Sequence, residues 1–430
     1  MMMAVEQRAA NPYTSLQPIH ECRVLAVTSA LCRRLMAASL LAGLMSAMPV
    51  TAPFVLSQPD AEISPGVTPD RVVFGQSAAL DGPAAQLGRD MRDGILAAFH
   101  EVDAAGGVNG RRLELISYDD GYEPESAIAN THRLIGEDRV FALIGPVGTP
   151  TSIATAPIAV DAGVPLIGPF TGAEFLRAPE MATVINLRAS YHQEAERIVD
   201  WLTTDFGVDR IAVLYQDDSF GRSGLDGVRA ALARRGLDTV AEGSYPRNTT
   251  AVKRALLAIR RGAPQAVVIV GAYEPSAEFT RWARVLGLDA LFVNVSFVGS
   301  NALASALGPA PAGTAPDTYI SQVVPPLGSA LPLIEEYRAA MAAAHGPGRG
   351  LGFVSLEGYL AGRLAAAILA NTPEPPTRAG FLAASKWRPV PDIGGFALRF
   401  GPFDNQGSDA VFLTVIDPHG EVVALDEAPR

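Results

Sequence analysis

From Arg71 onward the chain alternates between short apolar runs and stretches with helical spacing, and this alternation restricts the fold more than any other feature. "RVVFGQSAAL" reads as a buried strand. "GRDMRDGILAAFHEVDAA" then places Met91, Ile95, Ala98, Phe99 and Val102 on one helix face. The glycine-rich turn "GGVNGR" leads to the strand "RLELISYDD" and the helix "EPESAIANTHRLIGED", and "VFALIG" and "VPLIG" read as further strands around the helix "TSIATAPIAVDAG". The pattern restarts at "SYHQEAERIVDWLTTDFG" and runs through "RIAVLYQDD", "AVVIVGAY" and "LFVNVSFVG". Strands separated by helices imply parallel sheets covered on both faces by right-handed crossovers. The expected class is therefore α/β, with two similar lobes. The 430 residues suit two domains better than one, and a hydrophobic share of 48% supplies the core. Helical stretches are expected at 329–344 and 354–371, and a closing hairpin after Gly394, with turns near Asp404–Gly407 and Pro418–Gly420.

Two strands in succession end in Gly-Pro followed by hydroxyls: "ALIGPVGTPTS" and "VPLIGPFTGAEFL". Ligands of open parallel sheets sit beyond the carboxyl ends of the strands. Small residues there leave backbone N–H groups uncovered, Thr149 and Thr171 add hydroxyls, and the helices expected after both turns add partial positive charge. The set suits a carboxylate or another small acceptor group. The plainer alternative is that Thr149, Thr151 and Ser152 only cap a helix. Tyr191, Phe220, Tyr273, Ser296 and Phe297 stand at or near strand exits of the second half, where aromatics suit a lid over the ligand or, equally, an ordinary core. Asp217 and Asp218 read as turn formers, Asp119-Asp120 as a solvated turn, and Glu357 as a helical residue facing either cleft or solvent.

Several classes are excluded. The net charge of −11 and the lack of a basic patch with interleaved aromatics argue against nucleic acid and anionic membranes. There is no G-x-S-x-G elbow, Walker loop or G-x-G-x-x-G, and none of the six histidines pairs at metal-ligand spacing. No cofactor, metal or catalytic pair is expected. Arg33-Arg34 ahead of "LMAASLLAGLMSAMPV" reads as an export signal within residues 1–60, shorter than the about 20 apolar residues of a membrane span. Both cysteines, Cys22 and Cys32, precede that apolar stretch, so the exported part is expected to carry no disulfide.

Taken together, "VFGQSAALDGPAAQLGRDMRDGILAAFHEVDAAGGVNGRRLELISYDDGYEP", the two Gly-Pro turns, "YQDDSFG", "SLEGY" and the closing "GGF…F…NQG" resemble type I periplasmic binding proteins, in the leucine/isoleucine/valine-binding branch of ABC importers. The resemblance covers roughly residues 70–425. It implies two Rossmann-like lobes, one from 70–188 and about 323–392 and a second from 189–322 and about 393–430, and a small ligand that closes the cleft between them. By the same resemblance Thr149, Thr171 and the Gly172 backbone hold a ligand carboxylate, with Tyr191, Phe220 and Tyr273 contributing from the second lobe. Ser296 falls where amino-acid binders carry an acid for the ammonium group, and Leu87 where leucine binders carry an aromatic. The implied partners are an amino acid or related carboxylate or amide and a membrane permease, with the protein a monomer. The alternative is a sensor signalling to a membrane kinase or cyclase.

Overall fold

The computed structural model describes residues 64–309, 317–347, 349–390 and 392–425. The expected export signal lies outside the described residues. The first lobe contains β1 (Arg71–Ala78), α1 (Ala85–Ala104), β2 (Arg112–Asp119), α2 (Pro124–Gly136), β3 (Ala142–Ile144), α3 (Thr149–Asp161), β4 (Leu166–Ile167) and β5 (Val184–Ile185). The second is built from α4 (Tyr191–Asp205), β6 (Ile211–Gln216), α5 (Ser219–Ala233), β7 (Ala241–Tyr245), α6 (Lys253–Arg261), β8 (Ala266–Val270), α7 (Tyr273–Val285), β9 (Leu291–Asn294), α8 (Ser300–Leu307) and β10 (Thr318–Gln322). Then follow α9 (Pro332–His345), α10 (Phe353–Ala370), α11 (Arg378–Trp387), β11 (Phe412–Ile416) and β12 (Val422–Ala424).

The first sheet has the order β2-β1-β3-β4-β5 and is parallel throughout. The second runs β12-β11-β10-β9-β8-β6-β7, parallel except for the closing strands β11 and β12. Period-two alternation sends side chains of each strand into two separate cores. In the second lobe Val213 and Val268 join Ile198 and Val228 from α4 and α5, whereas Leu214, Val267 and Ile269 join Leu256 and Phe279 from α6 and α7. Such double burial explains why β8 reads "AVVIV" without a polar residue. In the first lobe α1, α9 and α10 cover one face, with Phe74, Ile144 and Ile167 beneath, while α2 and α3 cover Leu143 and Leu166 on the other. α10 is long and apolar enough to cross a membrane, yet 83% of that stretch is buried, as a core helix requires.

The chain passes between the sheets three times: after β5, after β10 and before β11. Residues 393–407, expected in the second lobe, lie against the first. Gly394 O accepts from Leu333 N of α9, Asn405 Nδ2 donates to Leu176 O, and Gln406 pairs with Asn186 at the end of β5. The expected hairpin is thus reduced to β11 and β12 around residues 417–421, because the stretch before it bonds to the first lobe rather than to a neighbouring strand. β5 and α11 carry too few residues or too little periodicity to have been read from the sequence.

Candidate ligand-binding site

Both Gly-Pro pairs turn the chain sharply at a strand end. Gly145 and Gly168 have φ of 60° and 54°, in the left-handed region that glycine alone enters without strain. The prolines that follow cannot donate to a ladder, so strand pairing stops there. The two turns then bond to each other: Phe170 N donates to Pro146 O at 2.8 Å and Gly148 N to Phe170 O at 3.2 Å. This locks Thr149 beside Thr171, with their Oγ1 atoms 2.7 Å apart and both residues buried. Thr171 Oγ1 donates to the Tyr191 hydroxyl at 3.3 Å, and Gly172 O accepts from Tyr191 N at 2.7 Å. Three hydroxyls expected to act together are therefore contiguous. Burial pushes the Tyr191 phenol up to about 12, so it is a neutral donor at physiological pH.

The capping alternative does not describe this turn. The N-cap of α3 is Gly148, without a side-chain cap, and the Thr151 hydroxyl donates back to Val147 O and Gly148 O. The Ser152 hydroxyl is buried without a protein partner. One expectation needs correction: an α-helix follows only the first turn. After the second comes a four-residue 3-10 segment, Glu174–Arg177, because Thr171 and Gly172 are spent on Tyr191 and Ala173.

The second lobe contributes rings. Phe220 opens α5, held there by Asp218, whose Oδ1 accepts from Phe220 N and Gly221 N. Phe220 lies 5.3 Å from the Tyr191 ring and 4.5 Å from Phe297. Phe297 in turn meets two first-lobe rings, Phe170 at 5.3 Å and Tyr122 at 5.9 Å. Leu87 of α1 is fully buried where the lobes meet, so close to Gly299 that a Cβ there would lie 2.4 Å from its Cδ2. Tyr273 stands apart from this cluster. It opens α7, half-buried against Ala277, Val298 and Leu303, and lines a groove with Gln86, Asp90 and Asn301.

Charge lies directly beneath the rings. Arg188, in the first crossing segment, is fully buried, with its guanidinium 5.3 Å from the Phe170 ring and 5.8 Å from that of Tyr191. Its Nη2 donates to Glu194 Oε1 at 2.8 Å and to Ser296 Oγ, while its Nη1 lies 3.5 Å from Glu357 Oε2. Ser296 also bonds Glu194, through N at 2.8 Å and Oγ at 3.0 Å, and Ser321 Oγ donates to Glu194 Oε2. Burial opposes the charge on Arg188, but Glu357 and Glu194 outweigh it and raise its pKa. Burial likewise pushes Glu357 up to about 7, against the pull of Arg188. Of the two expectations for Glu357, cleft or solvent, solvent is excluded: it is buried against this interior group.

Two further features depart from the sequence reading. Asp120 is buried rather than solvated: it accepts from Ser77 Oγ at 2.8 Å and Tyr122 N at 2.9 Å, and burial pushes it up to about 6. The same turn holds Tyr122 at φ 63° and delivers its ring to Phe297. At the rim, Arg247 Nη2 of the second lobe donates to Glu123 Oε2 at 2.6 Å, and Asn248 Nδ2 to Glu123 Oε1 at 2.8 Å. Tyr122, Phe170, Arg188 and Glu194 were missed because no motif marks them; an arginine between Leu187 and Ala189 in an apolar strand exit is the one available hint.

Two α/β lobes joined by three crossings, with hydroxyls and rings converging where they meet, define a two-lobed binding protein. A family model described as "Periplasmic binding protein" matches residues 71–421, and the chain belongs to that family of solute-binding proteins, in its type I, leucine/isoleucine/valine-binding branch. A solved structure of a possible leucine/isoleucine/valine-binding protein from Rhodopirellula baltica SH 1 is 40% identical, with a TM-score of 0.78 over 83% of this chain and 97% of that one. A substrate-binding periplasmic protein from Ralstonia solanacearum is 30% identical, with a TM-score of 0.75 over 82% and 99%. Among curated relatives, a Leu/Ile/Val-binding protein homolog from Brucella abortus (strain 2308) is 29% identical over 56% of this chain and 65% of its own length. An amino acid binding protein from Pseudomonas aeruginosa is 24% identical over 55% and 63%. The chain thus spans just under two thirds of the length of these curated relatives.

Proposed function

We propose that this chain is the extracytoplasmic solute-binding component of an ABC importer, without catalytic activity. It takes an amino acid or a related small carboxylate or amide between its lobes and delivers it to a membrane permease from the periplasm, as a monomer. One observation carries the reading: the buried Thr149–Thr171 hydroxyl pair bonds the Tyr191 hydroxyl, whose ring joins a cluster drawn from both lobes. Hydroxyls and backbone N–H groups at strand ends suit a carboxylate head, and Tyr191, Phe170, Phe220 and Phe297 suit an apolar body. A ligand touching both lobes favours the state in which they meet, so binding is coupled to closure. The names of the relatives, which specify leucine, isoleucine, valine or amino acids, support this class. The test is a thermal-shift screen of the purified chain against branched-chain and polar amino acids, short amides, and aliphatic and aromatic carboxylates. A ligand at about 100 times its dissociation constant adds about 2.7 kcal/mol, which raises the melting temperature measurably. A folded, ligand-free protein that ignores the whole panel would refute the proposal, and turnover of a bound molecule would refute the non-catalytic part.

A further inference from the structure

We infer that the ligand of this cleft lacks an α-ammonium group and presents a second hydrogen-bond acceptor to Arg188. The inference rests on the solute-binding reading above and narrows its ligand class. In amino-acid binders of the resembled type, the position of Ser296 holds an acid for the ammonium group. Here the Ser296 hydroxyl is engaged with Arg188 Nη2 and Glu194 Oε1. Glu194, the carboxylate beside it, is fully buried and has no oxygen to spare. Its Oε1 receives Arg188 and Ser296 Oγ; its Oε2 receives Ser296 N and Ser321 Oγ. A carboxylate offers about four acceptor sites, and four donors fill these.

The donors, by contrast, are in surplus. Arg188 Nε and Nη1 are buried without a hydrogen-bond partner, and such groups are costly to leave unmade. The guanidinium borders the Phe170 and Tyr191 rings, and the Tyr191 hydroxyl bonds Thr171, so Arg188 lies on the far side of the ring cluster that the hydroxyl pair joins. Glu357 is the remaining candidate for an ammonium, since its Oε1 has no partner. Its other oxygen faces Arg188 Nη1, so the acid is already paired with the guanidinium, and burial raises its pKa to about 7, which leaves it only partly ionised near neutrality. An incoming ammonium would therefore meet a guanidinium and an acid already paired with it, whereas a carbonyl or second carboxylate would accept from the unpartnered guanidinium N–H groups. The fitting class is a small oxo acid, dicarboxylate or carbonyl-bearing carboxylate.

The experiment is calorimetric titration of the purified full chain with matched pairs: leucine and glutamate against the oxo acids of the same carbon skeletons. At least tenfold tighter binding of an oxo acid than of its amino acid is expected. Arg188→Lys, which keeps the charge but removes the surplus N–H groups, should weaken oxo-acid binding at least tenfold while melting as a folded protein. If that variant does not fold, the wild-type comparison decides alone. Equal or tighter binding of the amino acids, or binding only of panel molecules that carry an ammonium group or lack a second acceptor, overturns the inference and leaves the solute-binding reading standing, whereas an amine-free dicarboxylate bound in place of the pairs supports it. Silence across the whole panel overturns both.

Discussion

The rim contact between Glu123 and Arg247 offers a way to perturb closure without touching the ligand. Glu123 belongs to the first lobe and accepts from Arg247 Nη2 at 2.6 Å and from Asn248 Nδ2 at 2.8 Å. The Arg247 side chain is 23% exposed and that of Glu123 45%, so water competes for the pair. Exposed ion pairs contribute about 0.2–1 kcal/mol, and hydrogen bonds to a charged group more when buried. For this half-exposed set the two bonds together amount to about 1–2 kcal/mol, present only while the lobes meet. Since about 1.4 kcal/mol is tenfold in an equilibrium constant, Glu123→Ala should lower apparent ligand affinity by about 5- to 30-fold, through the closed population rather than through pocket contacts. Calorimetric titration with a hit from the screen reads this directly. A cycle with Arg247→Ala isolates the pair, which should show a coupling of at least about 0.5 kcal/mol that shrinks as salt is added. Single variants that bind as tightly as the parent, or strictly additive effects, would refute the reasoning.

Thr171→Val keeps the shape of the side chain and removes the hydroxyl that links Thr149 to Tyr191. Losing one hydrogen bond to a charged ligand head costs about 1.5–3 kcal/mol, so affinity should fall by about 10- to 100-fold; the same hydroxyl accepts from the buried Ala173 N, so the melting temperature should fall as well, and an unchanged dissociation constant would remove the hydroxyl pair from the site. Glu357 gives a pH signature. Its folded pKa of about 7 lies above the ordinary 4.5, so its contribution to stability is fully present below about 4.5 and is lost as pH rises through about 7. The span corresponds to about 3 kcal/mol, and Glu357→Gln should flatten the melting temperature over that window. Asp120, pushed up to about 6 from 3.8, slopes in the same direction, so Asp120→Asn should remove a smaller part at its lower end. A parent protein whose melting temperature climbs steadily from acid to neutral would contradict both assignments.

How much of this was legible in the sequence depended on distance along the chain. The doubly covered sheets follow from local alternation, and the pairing of Thr149 with Thr171 follows from two consecutive strands ending in the same way. Tyr191 lies close enough to be placed with them. Arg188 was not legible, because what neutralises it comes from α4 and α10, and nothing in "NLRAS" says that a carboxylate waits on either. Tyr122 was hidden for a different reason: "DDGYEP" has the composition of a solvated turn, and only the buried bond from Ser77 to Asp120 draws it inward. The late return of the chain at residue 407 was equally silent, since it depends on Asn186 and Leu333, neither of which announces a partner.

Arg188 lies in the segment by which the chain first leaves one lobe for the other, and it holds a carboxylate from each side, Glu357 of α10 and Glu194 of α4. On the inference above, selectivity and mechanics share one side chain. Anyone reshaping this protein into a reporter for a new molecule would find that edits at Arg188 retune the resting posture along with the recognition, so that a lost signal and a lost affinity look alike. Phe220, which meets the second-lobe rings of Tyr191 and Phe297 and no ion pair, is the position we propose for rewriting cargo preference, whereas Phe297 also meets Phe170 and Tyr122 of the first lobe and so shares in closure.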